Sequence, residues 1–196
     1  AALHDFYAYQ TVDSGSLSGF SVCMAQGFSQ SEKPVVWVRH SMADAEMGRL
    51  YPYGLMELGF DPKRLVLVRA RKPCYLLSVA LDAVRCQSLG CVIAEIWGNP
   101  RELDLTATRR LALAAEQSGV TILLLRAACE MQPSAALTRW QVRSACSHML
   151  GANTPSRVLG RPTFDLTLTR NKTGTYGQSW RVEWHRDLCE FQAVTR

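Results

Sequence analysis

Val35-Val36-Trp37-Val38 is the first of four short apolar runs that decide the fold, and Leu65-Val66-Leu67-Val68, Cys91-Val92-Ile93-Ala94 and Thr121-Ile122-Leu123-Leu124-Leu125 follow it. Each run is nearly continuous, rich in β-branched residues or Leu, and bounded by polar or turn residues. Strands that are buried on both faces have this pattern, so the runs predict a parallel sheet covered by helices. The segment from Leu3 to Ala8 predicts a further strand at the start of the chain.

Helical segments lie between these strands. Pro73 suits the first position of a helix that continues from Cys74 to Leu89 and ends at Gly90. Asp104 is expected to cap a second helix, which ends at Gly119. The predicted buried positions of these two helices are Leu77, Leu81, Val84 and Leu89 in the first and Leu105, Thr108, Leu111, Ala112 and Ala115 in the second.

Two further helices are predicted, one from Gly19 to Ser29 and one from Ala43 to Leu58 that is broken near Pro52 and Gly54. Strands and helices then alternate at intervals of about thirty residues, as right-handed crossover connections require. This alternation predicts an α/β fold, a three-layer sandwich with a mainly parallel central sheet.

The pattern changes after Glu130. Residues 136–144 are predicted to be extended, and residues 150–162 form a polar connection that contains Gly and Pro. Two runs with alternating polarity follow, from Phe164 to Leu168 and from Trp180 to Trp184. They predict an antiparallel hairpin with one buried face, which extends the same sheet at its edge.

The length and composition are those of one globular domain. A chain of 196 residues, of which 47% are hydrophobic, is long enough for one substantial core and short for two. Residues 1–130 are therefore expected to form the α/β core, and residues 131–196 its C-terminal β extension. The net charge of +5 is spread along the chain, which favours a solvated surface over a dedicated arm for nucleic acid.

The cysteines and histidines do not predict a metal site, because none of the seven cysteines forms a C-x-x-C pair and the four histidines lie far apart. An odd number of cysteines, mostly inside apolar stretches, is typical of reduced thiols in a cytoplasmic protein. No apolar run is long enough to cross a bilayer. The chain begins at Ala1 without Met or a signal-peptide pattern, which predicts a trimmed or processed start.

The first strand-to-helix connection, from Tyr9 to Gly19, occupies the position of a phosphate loop in a nucleotide-binding protein. It contains no Lys and no G-K-[ST] sequence, and Asp13 would repel a phosphate. We therefore expect a surface loop in which glycines make turns, and no bound cofactor. The residues of this degenerate phosphate loop are Val12, Asp13, Ser14, Gly15, Ser16 and Gly19.

Catalytic residues are not predicted either. Ser14 and Ser16 have no histidine nearby in the sequence, and G-x-S-x-G is absent. Glu95 stands at the end of a strand, where a metal-binding acid would belong, but alone it is equally consistent with a hydrogen-bonded structural acid. His40, just after the first of the four strands, is more consistent with a buried or capping residue than with a catalytic one.

Several stretches resemble the ImuA family, the inducible mutagenesis proteins of many bacteria, in the form typical of alphaproteobacteria. The L-D-L-T-A-T-R-R-L sequence from Leu103 to Leu111 and the T-R-W sequence from Thr138 to Trp140 are the most specific, because their order and spacing match as well. The other matching stretches are 58–65, 96–98, 134–137 and 179–184.

The resemblance implies a RecA-like fold, membership of the SOS regulon, and partnership with ImuB, a Y-family polymerase relative, and with an error-prone replicative-type polymerase. It also implies a Gly/Pro-rich segment upstream of the chain. On this resemblance the phosphate loop of RecA falls on 12–19, its metal-site acid near Glu95, and its catalytic acid around Arg39-His40. Since these positions lack the lysine and the catalytic acid, ATP hydrolysis is expected to be lost.

The leading hypothesis is a non-catalytic adaptor in translesion DNA synthesis that binds a polymerase subunit and RecA. Direct DNA contact, unconventional nucleotide binding, and a division inhibitor similar to SulA remain alternatives. Aromatic candidates for a partner surface are Tyr51, Tyr53, Trp97 and Trp140. Cationic candidates for a partner or DNA are Arg69, Arg71, Lys72, Arg101, Arg109, Arg110 and Arg139.

Overall fold

Nine strands form one sheet in the computed structural model, which describes residues 1–28, 32–147 and 160–194. The strands are β1 (Leu3–Ala8), β2 (Val35–His40), β3 (Leu65–Ala70), β4 (Cys91–Trp97), β5 (Thr121–Ala127), β6 (Thr138–Ser144), β7 (Thr163–Asn171), β8 (Ser179–His185) and β9 (Glu190–Ala193). Their order across the sheet is β3-β2-β4-β5-β1-β6-β7-β8-β9. The pairs from β3 to β6 are parallel and the later pairs are antiparallel. This confirms the predicted fold class.

Helices cover both faces of the sheet. Within the described residues they are α1 (Ser14–Phe28), α2 (Ser41–Met47), α3 (Pro52–Glu57), α4 (Pro73–Val84) and α5 (Leu105–Ser118), with 3₁₀ turns at Thr11–Asp13 and Pro62–Arg64. Helices α1 and α3 pack on one face, and α4 and α5 pack on the other. The predicted break of the segment 43–58 is confirmed, since α2 and α3 are separate helices.

Strand β4 shows why the central strands are apolar over most of their length. Cys91 and Ile93 belong to the cluster beneath α1, whereas Val92, Ala94 and Ile96 belong to the cluster beneath α4 and α5. Successive side chains of a strand point to opposite faces, so a strand covered on both sides needs apolar residues at every position. A continuous apolar run, rather than an alternating one, is the consequence.

The predicted ends of the helices are confirmed at three positions. Pro73 lies in the first turn of α4. Asp104 caps α5, where its Oδ1 accepts a hydrogen bond of 2.7 Å from the Ala107 amide. Gly119 follows α5 with φ of 76°, a left-handed conformation that glycine adopts without the steric cost of a Cβ.

The predicted buried side of α4 is confirmed at Val84 and displaced by one residue at the two positions before it. The helix ends at Val84, well before Leu89, and its buried residues are Leu76, Ala80 and Val84. Leu77 and Leu81 are only partly buried at the edge of this contact. Packing against β4 and α5 buries every fourth residue of the helix from Leu76 onward. Because the sequence has Leu at both 76 and 77, it does not show which of the two is buried.

The C-terminal region confirms the hairpin, with one addition at the sheet edge. Phe164, Leu166 and Leu168 are buried on one face of β7, as predicted. The indole Nε1 of Trp184 on β8 donates a hydrogen bond of 2.9 Å to the Leu58 carbonyl after α3. The short, polar strand β9 was not predicted and takes the edge position beside β8.

Two other expectations have different outcomes. Leu105, predicted to be buried, is 52% exposed at the start of α5. Ser29 lies outside the described residues, and so does most of the predicted connection 150–162.

The cap of α5 makes a measurable contribution to stability. We expect Asp104→Ala to lower the free energy of unfolding by about 1 kcal/mol, because the helix loses the side-chain acceptor for one of its free amides. Glu116→Ala, an exposed change in the same helix, is the matched control and should change it by less than about 0.5 kcal/mol. Urea unfolding monitored by circular dichroism measures both, and equal effects of the two changes would contradict the capping role.

Candidate functional site

The junction between β1 and α1 contains a helix where a loop was predicted. A 3₁₀ turn at Thr11–Asp13 leads directly into α1, which begins at Ser14. The prediction of a surface loop from Tyr9 to Gly19 is therefore wrong, because residues 14–19 are the first turns of the helix. Gly15 and Gly19 have ordinary negative φ angles and do not make turns.

Asp13 places a carboxylate at the start of α1. Its side chain is buried, and its Oδ1 accepts hydrogen bonds of 2.8 Å from both the amide and the hydroxyl of Ser144 on β6. The N-terminus of a helix carries partial positive charge and attracts anions. Here a carboxylate of the chain itself already lies in that position, so it opposes the approach of a phosphate group.

Glu95 lies on β4, fully buried beneath α1, and both of its carboxylate oxygens are bound. Oε2 accepts hydrogen bonds from Arg39 Nε at 2.8 Å and from Trp37 Nε1 at 2.9 Å. Oε1 accepts one from the Ser18 hydroxyl at 3.0 Å. Burial raises the pKa of Glu95, and the charge of Arg39 and these three hydrogen bonds oppose that rise.

Arg39 is the positively charged partner and is itself saturated. Besides Glu95, its guanidinium forms an ion pair with Asp44 of α2 and donates to the carbonyls of Gly48, at 2.8 Å, and Ala43, at 3.4 Å. Asp44 also forms an ion pair of 3.0 Å with Arg69. An arginine thus stands where the resemblance to RecA placed a catalytic acid, and its charge is neutralised inside the fold.

His40, the next residue, caps α2 with its backbone only. Its side chain is 7% exposed, and its Nδ1 has no hydrogen-bond partner among the described residues. Burial lowers the pKa of His40, and a backbone contact with Arg71 opposes this. The position is that of a buried histidine rather than of a base aimed at a substrate.

A cavity of about 220 Å³ lies between α1, β2 and the α2–α3 segment. Trp37 and Arg39 line it from the sheet, Ser18 and Gly19 from α1, and Leu55 from α3. The side-chain polar atoms of Ser18, Trp37 and Arg39 are already bound within the protein, to Glu95 and, for Arg39, also to Asp44 and two carbonyls. What remains for a ligand is therefore mainly apolar surface.

Exposed aromatic and methionine side chains lie beside this cavity. Tyr51 and Tyr53 are 66% and 65% exposed, and their ring centroids are 5.4 Å apart. Met42 and Met56 on the neighbouring helices are also exposed. We call Tyr51, Tyr53 and Met56, which follows Tyr53 by three residues on α3, the tyrosine–methionine patch. Trp97 and Trp140, the other aromatic candidates, are partly buried against the core.

The predicted cations do not form one cluster. Arg69 is paired with Asp44, and Arg71 and Arg101 are exposed after the ends of β3 and β4. Arg109 and Arg110 are exposed on α5 but line different cavities.

Arg139 belongs to a buried charged cluster that the sequence reasoning missed. It is 6% exposed and lies 3.6 Å from Asp5, so it does not present a surface to a partner or to DNA. Arg126 lies 3.4 Å from the same carboxylate, and both guanidinium groups stack near the Tyr7 ring. Burial raises the pKa of Asp5, and the two arginines oppose the rise.

The signal for this cluster was present in the sequence as charges inside strand segments. Asp5 follows Leu3 by two residues, so the two share a face of β1. The register then pairs Asp5 with Arg139 of β6 and Tyr7 with Arg126 of β5. Only the strand order, which the sequence does not specify, makes these residues neighbours.

Metal-binding clusters and membrane-spanning helices are both absent from the described residues. No group of three or more His, Cys, Asp or Glu side chains lies close enough there to hold a metal ion. All seven cysteines are free thiols. None of the described helices combines the length and the hydropathy that crossing a bilayer requires.

The Arg39–Glu95 pair can be tested by a double-mutant cycle. Arg39→Leu is expected to lower the free energy of unfolding by about 3–5 kcal/mol, because it leaves a buried carboxylate without its charged partner. Adding Glu95→Leu removes that unpaired charge and should recover roughly half of the loss. Urea unfolding at neutral pH measures Arg39→Leu, Glu95→Leu and the double variant, with the exposed Arg101→Leu as control. Additive losses in the double variant would contradict direct coupling.

The chain is similar to known proteins both in sequence and in fold. No protein-family model matches the chain. Protein ImuA from two strains of Caulobacter vibrioides, an alphaproteobacterium, is 34% identical over 153 residues, which cover 73% of this chain. The match spans 57% of the length of each relative.

Two solved structures share features with the fold. The RadB recombinase aligns over 94% of this chain and 88% of its own, with a TM-score of 0.57 and 13% sequence identity, which establishes similarity of fold alone. SulA from Pseudomonas aeruginosa covers 65% of this chain and 98% of its own at 16% identity, but its TM-score is only 0.48. The chain is therefore a relative of the ImuA proteins, built on a RecA-like fold.

Proposed function

We propose that this chain is a non-catalytic RecA-like accessory protein in SOS-induced translesion DNA synthesis, and that it binds an ImuB-type polymerase relative. RecA and an error-prone replicative-type polymerase are further partners in this proposal. The relation to ImuA supports the biological setting. The observation that carries the non-catalytic part is the occupation of both Glu95 oxygens by Arg39, Trp37 and Ser18.

ATP hydrolysis by this fold needs a cation for the phosphates and a free acid for the metal or the water. The segment 12–19 contains no lysine, and Asp13 lies at the start of α1 instead. Glu95 is fully buried and forms an ion pair with Arg39. A carboxylate that has exchanged its water for three protein donors is a poor ligand for Mg²⁺, which prefers to keep several waters.

This part of the proposal has a direct test. Mg-ATP should leave the thermal unfolding temperature unchanged to within about 1 °C, because a ligand raises stability only by binding the folded state. No phosphate release should be detected from purified protein. A concentration-dependent rise of several degrees with turnover would overturn the non-catalytic assignment.

The tyrosine–methionine patch is the surface that best supports protein binding. Large exposed aromatic side chains are enriched where protein interfaces gain most of their free energy. Tyr51 lines the cavity described above, so a side chain of a partner can pack against it and against Leu55. Met56 extends the patch with a flexible side chain that adapts to a partner's shape.

The partner role is tested by co-purification with an ImuB-type protein. We expect Tyr51→Ser combined with Tyr53→Ser to weaken the complex about tenfold or more, since hot-spot tyrosines commonly contribute over 1.4 kcal/mol. Tyr176→Ser, which changes a tyrosine that is 68% exposed in the β7–β8 connection, is the matched control. Equal binding by the patch variant and the control would remove this surface from the proposal.

Direct DNA contact is a second candidate, favoured by the placement of Arg71 and Arg101. They follow β3 and β4, which lie on either side of β2, so both residues lie beyond the carboxyl ends of the parallel strands. Phosphate contacts by such cations would make affinity fall steeply with salt. Titration of single-stranded DNA at two salt concentrations, with Arg71→Ala and Arg101→Ala, tests it, and absence of binding at low salt excludes it.

A further inference from the structure

A cavity of about 340 Å³ lies between the start of α5, the β5–β6 connection and the end of β7. Three cations line it, Arg109 from α5 and Arg170 and Lys172 from β7 and the residue after it. Leu105 and Pro133 provide an apolar side, and the backbone at 134–135 closes the remaining wall. We call this site the basic cavity.

Two of the three cations are held in place by hydrogen bonds, and neither is neutralised by them. Arg170 Nη1 donates a 3.4 Å hydrogen bond to the Ser134 carbonyl, and Lys172 Nζ donates to the Ala135 carbonyl. Within residues 1–28, 32–147 and 160–194, none of the three forms an ion pair with a carboxylate. Since neutral carbonyls orient two of them, their positive charge remains available to an anion.

The interior behind this wall is also positive. Arg126 and Arg139 share the single carboxylate of Asp5, which leaves one positive charge in excess among these three buried side chains. Arg139 donates to the Gln132 carbonyl, at the beginning of the same connection. Because solvent and salt screen a buried charge less than an exposed one, this excess charge makes the electrostatic potential in the basic cavity more positive.

Two exposed carboxylates belong to the elements around the cavity but do not line it. Asp104 is exposed at the cap of α5 and accepts from the Ala107 amide, and Glu130 is exposed at the start of the β5–β6 connection. Neither lines the basic cavity. An occupant that supplies its own carboxylates would therefore complete the site.

The apolar side of the basic cavity distinguishes a protein segment from nucleic acid. Leu105 is 52% exposed, and Pro133 is exposed beside it. Sites for single-stranded nucleic acid combine cations with aromatic rings on which bases stack. No aromatic ring of the described residues lines this cavity. An aliphatic surface framed by cations fits a large apolar side chain with carboxylates on either side of it.

We propose that the basic cavity binds an acidic segment of a partner protein. In this arrangement one large apolar side chain of the segment packs on Leu105 and Pro133, and flanking carboxylates pair with Arg109, Arg170 and Lys172. The inference rests on charges and surfaces of this chain and is independent of the tyrosine–methionine patch and of the identity of the partner there.

The test uses a short fluorescein-labelled peptide rich in Asp with one central Phe, titrated with the whole chain by fluorescence anisotropy. We expect the double change Arg170→Ala and Lys172→Ala to weaken binding about tenfold, the loss of two charge contacts at the rim of a site. Arg110→Ala is the matched control, because Arg110 neighbours Arg109 on α5 but lines other cavities, and it should leave affinity unchanged.

Two further arms make the outcome decisive. A peptide with Asn in place of every Asp should bind far more weakly, and equal binding would overturn the proposal. A labelled thymidine oligonucleotide that displaces the peptide, and loses affinity in the same double variant, would show that the occupant is nucleic acid and also overturn it. No binding of the acidic peptide to the unmodified chain has the same consequence. Thermal unfolding of each variant verifies that the fold is retained.

Discussion

The ion pair between Glu95 and Arg39 is the constraint on which the centre of the molecule depends. Two charges under a helix are tolerated only if each hydrogen-bonding group finds a partner, because desolvation otherwise outweighs their attraction. The partners come from α1, β2 and the α2 segment, through Ser18, Trp37 and Asp44. The position of α1 over the sheet is therefore tied to the chemistry of one carboxylate.

The same rule acts on the opposite face of the sheet, with a different result. Asp5 is shared by Arg126 and Arg139, and the Tyr7 ring lies against both guanidinium groups. The first cluster has two carboxylates near its arginine, whereas the second has two arginines near its carboxylate. The buried charges near the β5–β6 connection therefore sum to a positive charge, whereas the buried charges beneath α1 compensate one another. The outer surfaces near these clusters differ in character for that reason.

Local patterns predicted the strands and helix ends well, and failed where tertiary contacts decide. Continuous apolar runs and the cap at Asp104 depend on neighbouring residues alone. The start of α1 was misplaced because Ser and Gly have low helix propensity, while buried Leu17 and Phe20 stabilise the helix through the core. The sequence predicts a surface position for Arg139, because its neighbours in the sequence do not reveal its pairing with β1. The sequence alone is consistent with Glu95 as a metal-binding acid or as a structural acid, since the partners of its side chain come from three separate segments.

Internal neutralisation also bears on how the fold can serve as a binding protein. A nucleotide-dependent scaffold gains stability from its ligand, and its conformation then varies with ligand concentration. Here the cation facing Glu95 is Arg39 of the chain itself, so the stability of this region does not depend on an external cation. A surface next to such a site, such as the one around Tyr51, keeps its shape before a partner arrives. Preorganisation of this kind reduces the ordering cost of association, and this makes a RecA-like fold with an internally paired carboxylate a suitable frame for docking.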